Sequence, residues 1–176
     1  VIEKQTGIPV FYFSTSGMHT YVKGAGMAME TIARELVPAG GKSVKERKNK
    51  QKNPLKINIL GATPLDFSIN STLDSIKEFL SRHFEIISTF AMGSSIEDIQ
   101  RAGEADVNLV ISSVGVLAAK VLEERFHTPY VIGTPIIGFE NVLAENLIES
   151  AWTKKSQTAY FYVSQKAHKK DTANST

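Results

Sequence analysis

Four short apolar runs begin near positions 57, 85, 107 and 130, and a stretch of helical periodicity separates each from the next. Two parallel strands of one sheet can be joined only by a crossover that spans it, so this alternation marks repeated βαβ units. The runs are Ile57-Asn58-Ile59-Leu60-Gly61, Glu85 to Ala91, Val107 to Ser112, and Tyr130-Val131-Ile132-Gly133. Between them, Leu73, Ile76, Phe79 and Leu80 mark one helix face, and Leu117, Ala118, Val121, Leu122 and Phe126 mark another. Ser94 and Glu97 have the spacing of a capping box that opens a short helix ending near Gly103. After Pro135 and Gly138, a last helix carries Phe139, Val142, Leu143, Leu147 and Ile148. Right-handed crossovers then give a three-layer Rossmann-like α/β domain, a parallel sheet of about four strands in the order 2-1-3-4 with helices on both faces.

The flanks read differently. Ile8 to Phe13 is a strand-like run ended by Ser14-Thr15-Ser16-Gly17, and Ala25, Met29, Ile32, Ala33 and Leu36 follow at helical spacing until Pro38 and Gly40-Gly41. Residues 42–56 hold seven Lys or Arg and one Glu, so they carry +6 where the whole chain carries +2. A nucleic-acid surface spreads its basic residues over regular elements and interleaves aromatics, whereas this charge is confined to one loop; it reads as solvated chain, with no nucleic-acid partner. The expected plan is a strand–helix segment of an adjoining domain over 1–39, a basic flexible linker over 40–56, the Rossmann-like domain over 57–150, and a partly disordered C-terminal extension over 151–176. Ala159 to Val163 within the extension has the composition of one more strand. An opening on Val1, directly before a strand-like run, is the pattern of a piece of a longer protein.

No apolar run reaches the roughly 18–20 residues that a membrane helix needs, and no signal-peptide order opens the chain, so a cytoplasmic setting with no membrane partner is expected. Zero cysteines exclude disulfides and thiolate-ligated iron–sulfur clusters within these residues. In an open parallel sheet, the carboxyl ends of the strands and the N-termini of the following helices converge on one edge, which favours polar ligands and anions. The residues of that edge are the candidates for binding a substrate or cofactor: Gly61, Thr63, Gly93, Ser94, Ser112, Ser113, Gly115 and Thr134. The same residue types also suit turns and caps. Gly24-Ala25-Gly26-Met27 lacks the G-x-G-x-x-G pattern and no Walker motif occurs, so NAD and ATP are unsupported. Neither Ser112 nor Ser113 sits in a G-x-S-x-G elbow, which argues against a hydrolase. His19, His83, His127 and His168 lie on separate segments, and Glu123-Glu124, Glu145 and Glu149 have ordinary helix-surface spacing. No metal site and no catalytic acid or base emerges from them.

The order of several pieces is more specific than the βαβ pattern. Ile57-Asn58-Ile59-Leu60-Gly61, Gly93-Ser94-Ser95 with Glu97-Asp98-Ile99 and Arg101-Ala102, Ala105 to Val110, Ala118-Ala119-Lys120, Leu122 to Phe126, and Thr128-Pro129-Tyr130 with Pro135 and Gly138 resemble nitrogenase component 1 over about residues 6–150. The resemblance implies a redox subunit that pairs with a homologous component 1-type subunit and accepts electrons from an ATP-dependent iron protein reductase. Its substrate would be a small molecule or a tetrapyrrole; the alternative within the same family is a non-catalytic scaffold or carrier for metallocofactor assembly. The resemblance also places the P-cluster cysteines upstream of the Ile8-Pro9-Val10 run, so an iron–sulfur cluster would belong to the parent complex, with none in this chain. The cysteine that ligates the large cofactor in molybdenum subunits falls at or beside Ser112, and serine is a poor ligand for a soft iron–sulfide centre. The isolated fragment is expected to be inactive.

Overall fold

A computed structural model describes residues 2–8, 10–39, 54–67, 72–136 and 140–159. The elements run α1 (Ile2–Thr6), α2 (Tyr21–Glu35), β1 (Leu55–Leu60), α3 (Pro64–Phe67), α4 (Thr72–Ser81), β2 (Phe84–Thr89), α5 (Ile96–Gln100), β3 (Val107–Val110), α6 (Val116–Phe126), β4 (Tyr130–Ile132), α7 (Glu140–Thr153) and β5 (Gln157–Thr158). The five strands form one parallel sheet in the order β2-β1-β3-β4-β5. That is the expected 2-1-3-4 order with β5 added beside β4. The first strand starts at Leu55, inside the span read as linker, because Lys56 is tied into the sheet: its N–H donates to Asp106 Oδ2 at 2.8 Å, and the Asp106 N–H returns a 2.8 Å bond to its carbonyl. The last helix likewise continues to Thr153, past the boundary expected at 150. Residues 40–53 of the basic linker and 160–176 of the extension lie outside the described residues.

Successive strand residues alternate between two cores, as the pleat requires. Ile57 and Ile59, with Val107, Leu109 and Val131, face Leu73, Ile76 and Leu80 of α4 and Leu143, Leu147 and Ala151 of α7. Leu60 and Val110 face the other way, onto Met29, Ala33, Ile99, Ala118 and Leu122 from α2, α5 and α6. Helices therefore cover both faces. The step from β4 to β5 runs in the same direction as β3 to β4, yet α7 lies on the α4 face where α6 lies on the opposite one. That last connection has the opposite hand, which is rare in parallel sheets.

On the α6 side of the sheet, three buried polar side chains form a ladder across adjacent strands. Ser88 Oγ donates to Asn58 Oδ1 at 2.8 Å, and Asn58 Nδ2 donates to Asn108 Oδ1 and to the Ala102 carbonyl, both at 2.8 Å. Asn58 stands opposite Asn108 and Ser88 in the strand register, so the ladder is made by pairing itself. A second polar anchor joins the helical layer. Arg125 donates from Nη1 to the Ala33 and Arg34 carbonyls at 2.9 and 2.8 Å and from Nη2 to the Val37 carbonyl at 2.9 Å. The Ala33 and Arg34 carbonyls are terminal ones of α2, which have no partner within the helix and lie at the negative end of its dipole, and Val37 lies two residues past its end.

Two local expectations are corrected. The strand expected over Ile8–Phe13 is absent: residues 10–13 have no regular structure, Tyr12 is 92% exposed, and no described strand offers them a partner. An apolar run becomes a strand only where another backbone satisfies its hydrogen bonds. The capping box is one residue later than expected. Ser95 and Asp98 form it, with the Asp98 N–H donating to Ser95 Oγ at 3.1 Å and the Ser95 N–H to Asp98 Oδ2 at 3.0 Å.

Candidate functional site at the strand-end edge

The polypeptide leaves β1, β2, β3 and β4 on one edge, and all eight candidate residues lie in the loops there. Three of them are in direct contact. Gly61 turns sharply out of β1 with φ of +92°, a conformation that glycine adopts without a steric penalty. The Ser112 hydroxyl donates to the Gly61 carbonyl at 2.7 Å. A Cβ on Gly61 would meet Ser112 Oγ at 2.8 Å and the Ser112 carbonyl oxygen at 2.9 Å. Gly115 closes the 3-10 turn Ser113–Gly115 against the end of β1; a Cβ there would lie 2.6 Å from the Leu60 carbonyl carbon and 2.7 Å from the Gly61 nitrogen. The two glycines thus let the β1 and β3 loops interlock backbone to backbone.

The other candidates are distributed around this knot. Thr63 is buried and donates to Asp66 Oδ2 at 2.9 Å, while its carbonyl accepts the Asp66 and Phe67 N–H groups, so it is occupied in starting α3. Ser94 Oγ accepts the Thr89 N–H at 2.6 Å and ties down the loop beyond β2. Gly93, with φ of +85°, is exposed on the same loop. Ser113 is exposed at the lip, and Thr134 stands half-buried after β4, on the far side of β3. Gly61, Ser112 and Gly115 are therefore one unit, Gly93 and Ser94 form its neighbour, and Thr134 lies apart.

His83 and His127 immediately precede the β2 and β4 ends of the sheet, opposite this edge, and neither can serve Ser112 as a base. His19 is different. Gly26 of α2 packs near the start of α6, 3.5 Å from a Cβ position to the Val114 carbonyl, while the end of α2 meets Arg125 at the end of α6. The two helices run the same way, which puts the N-terminus of α2, with His19 just before it, on the strand-end side. Its Nδ1 is buried without a hydrogen-bond partner among the described residues. Sequence spacing gave no signal of this, because the position of His19 depends on how α2 docks. The histidine makes no bond to Ser112 among the described residues, so no nucleophile–base pair is formed.

A family cofactor can be tested against these donors. The chain has no cysteine, and among the described residues no three His, Cys, Asp or Glu side chains gather where they could hold a metal. At Ser112 the hydroxyl proton is committed to the Gly61 carbonyl. A soft iron–sulfide centre prefers thiolate, so these residues do not fit the direct ligation of such a group. What the edge supplies is close-packed backbone, hydroxyl groups and the N-termini of α3, α4, α5 and α6, a surface for positioning a ligand.

Sheet order and helix placement together define a Rossmann-like α/β domain with an open parallel sheet. The model of the nitrogenase component 1 type oxidoreductase family matches residues 1–146, and the chain belongs to that family. It is similar to a subunit of the light-independent protochlorophyllide reductase of Rhodopseudomonas palustris (strain TIE-1), with 34% identity over 110 residues covering 61% of this chain and 20% of that protein. The corresponding subunit from Nostoc punctiforme is 26% identical over 117 residues, covering 65% of this chain and 23% of that protein. Among solved structures, one titled "Nitrogenase Cp1 at pH 5" superimposes with a TM-score of 0.56 at 25% identity, covering 74% of this chain and 25% of that one. The chain thus spans about a quarter or less of the relatives it matches. No described helix is long and apolar enough to cross a membrane.

Proposed function

We propose that this chain supplies the ligand-positioning domain of a nitrogenase-like reductase subunit, one that receives electrons from an ATP-dependent iron protein and reduces a small molecule or tetrapyrrole held against the Gly61–Ser112–Gly115 edge. The observation that carries the reading is the interlocked β1 and β3 loops at the strand-end edge, where open parallel sheets commonly bind ligands, in a domain of this family. The names of the protochlorophyllide reductase relatives support a tetrapyrrole as the substrate class. A homologous component 1-type subunit would be the structural partner, and redox clusters would be held by cysteines elsewhere in the assembly. In this division of labour the domain binds and orients, because close backbone packing fixes geometry without supplying a titrating group.

The experiment uses the complete polypeptide that contains this domain, purified with its partner subunit and mixed with the iron protein, ATP and an electron donor. Many turnovers per complex, dependent on ATP, are expected. Substrate or precursor that is bound once and handed on without reduction would replace this reading with that of a carrier.

A further inference from the structure

Two half-buried lysines of this domain are treated differently by their surroundings. Lys56 Nζ lies 3.1 Å from Glu104 and 3.8 Å from Glu85, a shielded ammonium with two carboxylates. Lys77 of α4 has none: among the described residues its Nζ makes no ion pair, and its one hydrogen bond is a 3.5 Å contact to the Met92 carbonyl. An ammonium carries three donors, so two of them meet no protein acceptor among the described residues. Helix side chains lean toward the N-terminus of their helix, and α4 begins at the strand-end edge, so Lys77 is carried up to the loop beyond β2. There its Nζ lies 2.9 Å from the position a Gly93 Cβ would take, and it occupies the space that the glycine leaves.

The loop beneath has donors of its own. Ala91 and Gly93 both have positive φ, +67° and +85°, and the amides of Gly93 and Ser94 make no hydrogen bond among the described residues. Successive backbone N–H groups around a left-handed residue form a concavity suited to anions. The nearby carboxylates are otherwise engaged or set apart. Asp98 is held in the capping box, Asp66 accepts from Thr63, and Asp74, one turn before Lys77, is not within ion-pair distance of it. The order β2-β1-β3 places this loop two strands from Ser112, about 10 Å at the usual strand spacing.

Resting on the strand-end edge as the ligand site, we infer that Lys77 with the Gly93 and Ser94 amides binds an oxyanion, the carboxylate or phosphate group of the molecule whose body lies against Gly61 and Ser112. Lys77 is then a specificity residue. It selects ligands with an anionic group about 10 Å from the reacting end.

The test needs no redox partner. The isotope-labelled chain is titrated with sodium phosphate and, separately, with sodium acetate at constant ionic strength, and the Gly93 and Ser94 amide resonances are followed. A saturable shift with either anion is expected, weakened about tenfold in Lys77→Met and largely kept in Lys77→Arg, as the loss of one charge-assisted bond implies. Tighter binding of phosphate would identify a phosphate ligand, and comparable or tighter binding of acetate a carboxylate. Absence of a saturable shift with both anions, or equal binding by the folded Lys77→Met variant, would overturn the inference. A complex that failed to turn over would leave this result standing, so the two readings fail separately.

Discussion

Replacement of Asn58 by leucine tests how the sheet is held in register. Asn58 is fully buried and is the partner of the buried Ser88 hydroxyl and Asn108 amide oxygen; it also donates to the Ala102 carbonyl, which keeps the Ala105 N–H at 3.3 Å. Leucine has the branching and heavy-atom count of asparagine with bulkier methyl ends, so overpacking adds to the loss of bonds. A buried group left without its partner costs about 1–3 kcal/mol, and two of them put Asn58→Leu at about 2–6 kcal/mol, a large share of the about 5–15 kcal/mol that ordinary domains have in total. The companion variant Asn58→Leu/Asn108→Leu/Ser88→Ala removes both stranded groups along with their partner and frees one other, the Thr128 carbonyl that accepts from Asn108 at 3.4 Å. It should lose less than about 3 kcal/mol and be more stable than the single variant. Urea unfolding of each variant, with slopes compared to verify one cooperative transition, gives the values. A single variant that loses under about 1 kcal/mol, or three substitutions whose effects add, would show that the ladder is incidental.

Three further outcomes follow from the geometry. Gly115→Ala should destabilise by about 1–3 kcal/mol in the same urea assay, since its new methyl meets the Leu60–Gly61 backbone, while Gly24→Ala, with open space in α2, should stabilise by about 0.4–1 kcal/mol. Arg125→Ala should cost about 1.5–3 kcal/mol by freeing two terminal carbonyls of α2 and the Val37 carbonyl just past it, and Arg125→Lys should recover only part, because an ammonium cannot span all three. The hydrogen bond from Arg101, helped by Lys56, holds the Glu104 carboxyl below its ordinary value of 4.5; its contribution is therefore complete above that pH and is lost as the pH falls through the lowered value. Glu104→Gln should flatten the acid limb of a stability–pH profile, and an unchanged limb would refute the assignment.

The sheet was legible because its strands are apolar runs at crossover spacing, and the edge was legible because topology alone decides where such strands end. Other features depend on register or docking. Asparagine in the middle of Ile57-Asn58-Ile59 and Val107-Asn108-Leu109 is a visible anomaly, yet only the pairing of Asn58 with Asn108 turns it into a ladder. Ser94 and Ser95 are each followed three residues later by an acid, Glu97 and Asp98, so composition could not choose between two capping boxes. Ser94 is used elsewhere because the Thr89 N–H at the end of β2 needs an acceptor. The run from Ile8 to Phe13 has strand composition but no described partner, and composition cannot supply one. Lys77 and His19 reach the edge through the directions of α4 and α2, which no spacing within the sequence encodes.

The proposed function seats the ligand on the strand-end edge of this domain. A structure of the complete subunit pair with its substrate bound decides it: density is expected within contact distance of the loops at Gly61, Gly93 and Ser112, with any anionic group of the substrate toward Lys77. A substrate seated at the opposite end of the sheet, near His83 and His127, or wholly on other domains, would contradict it.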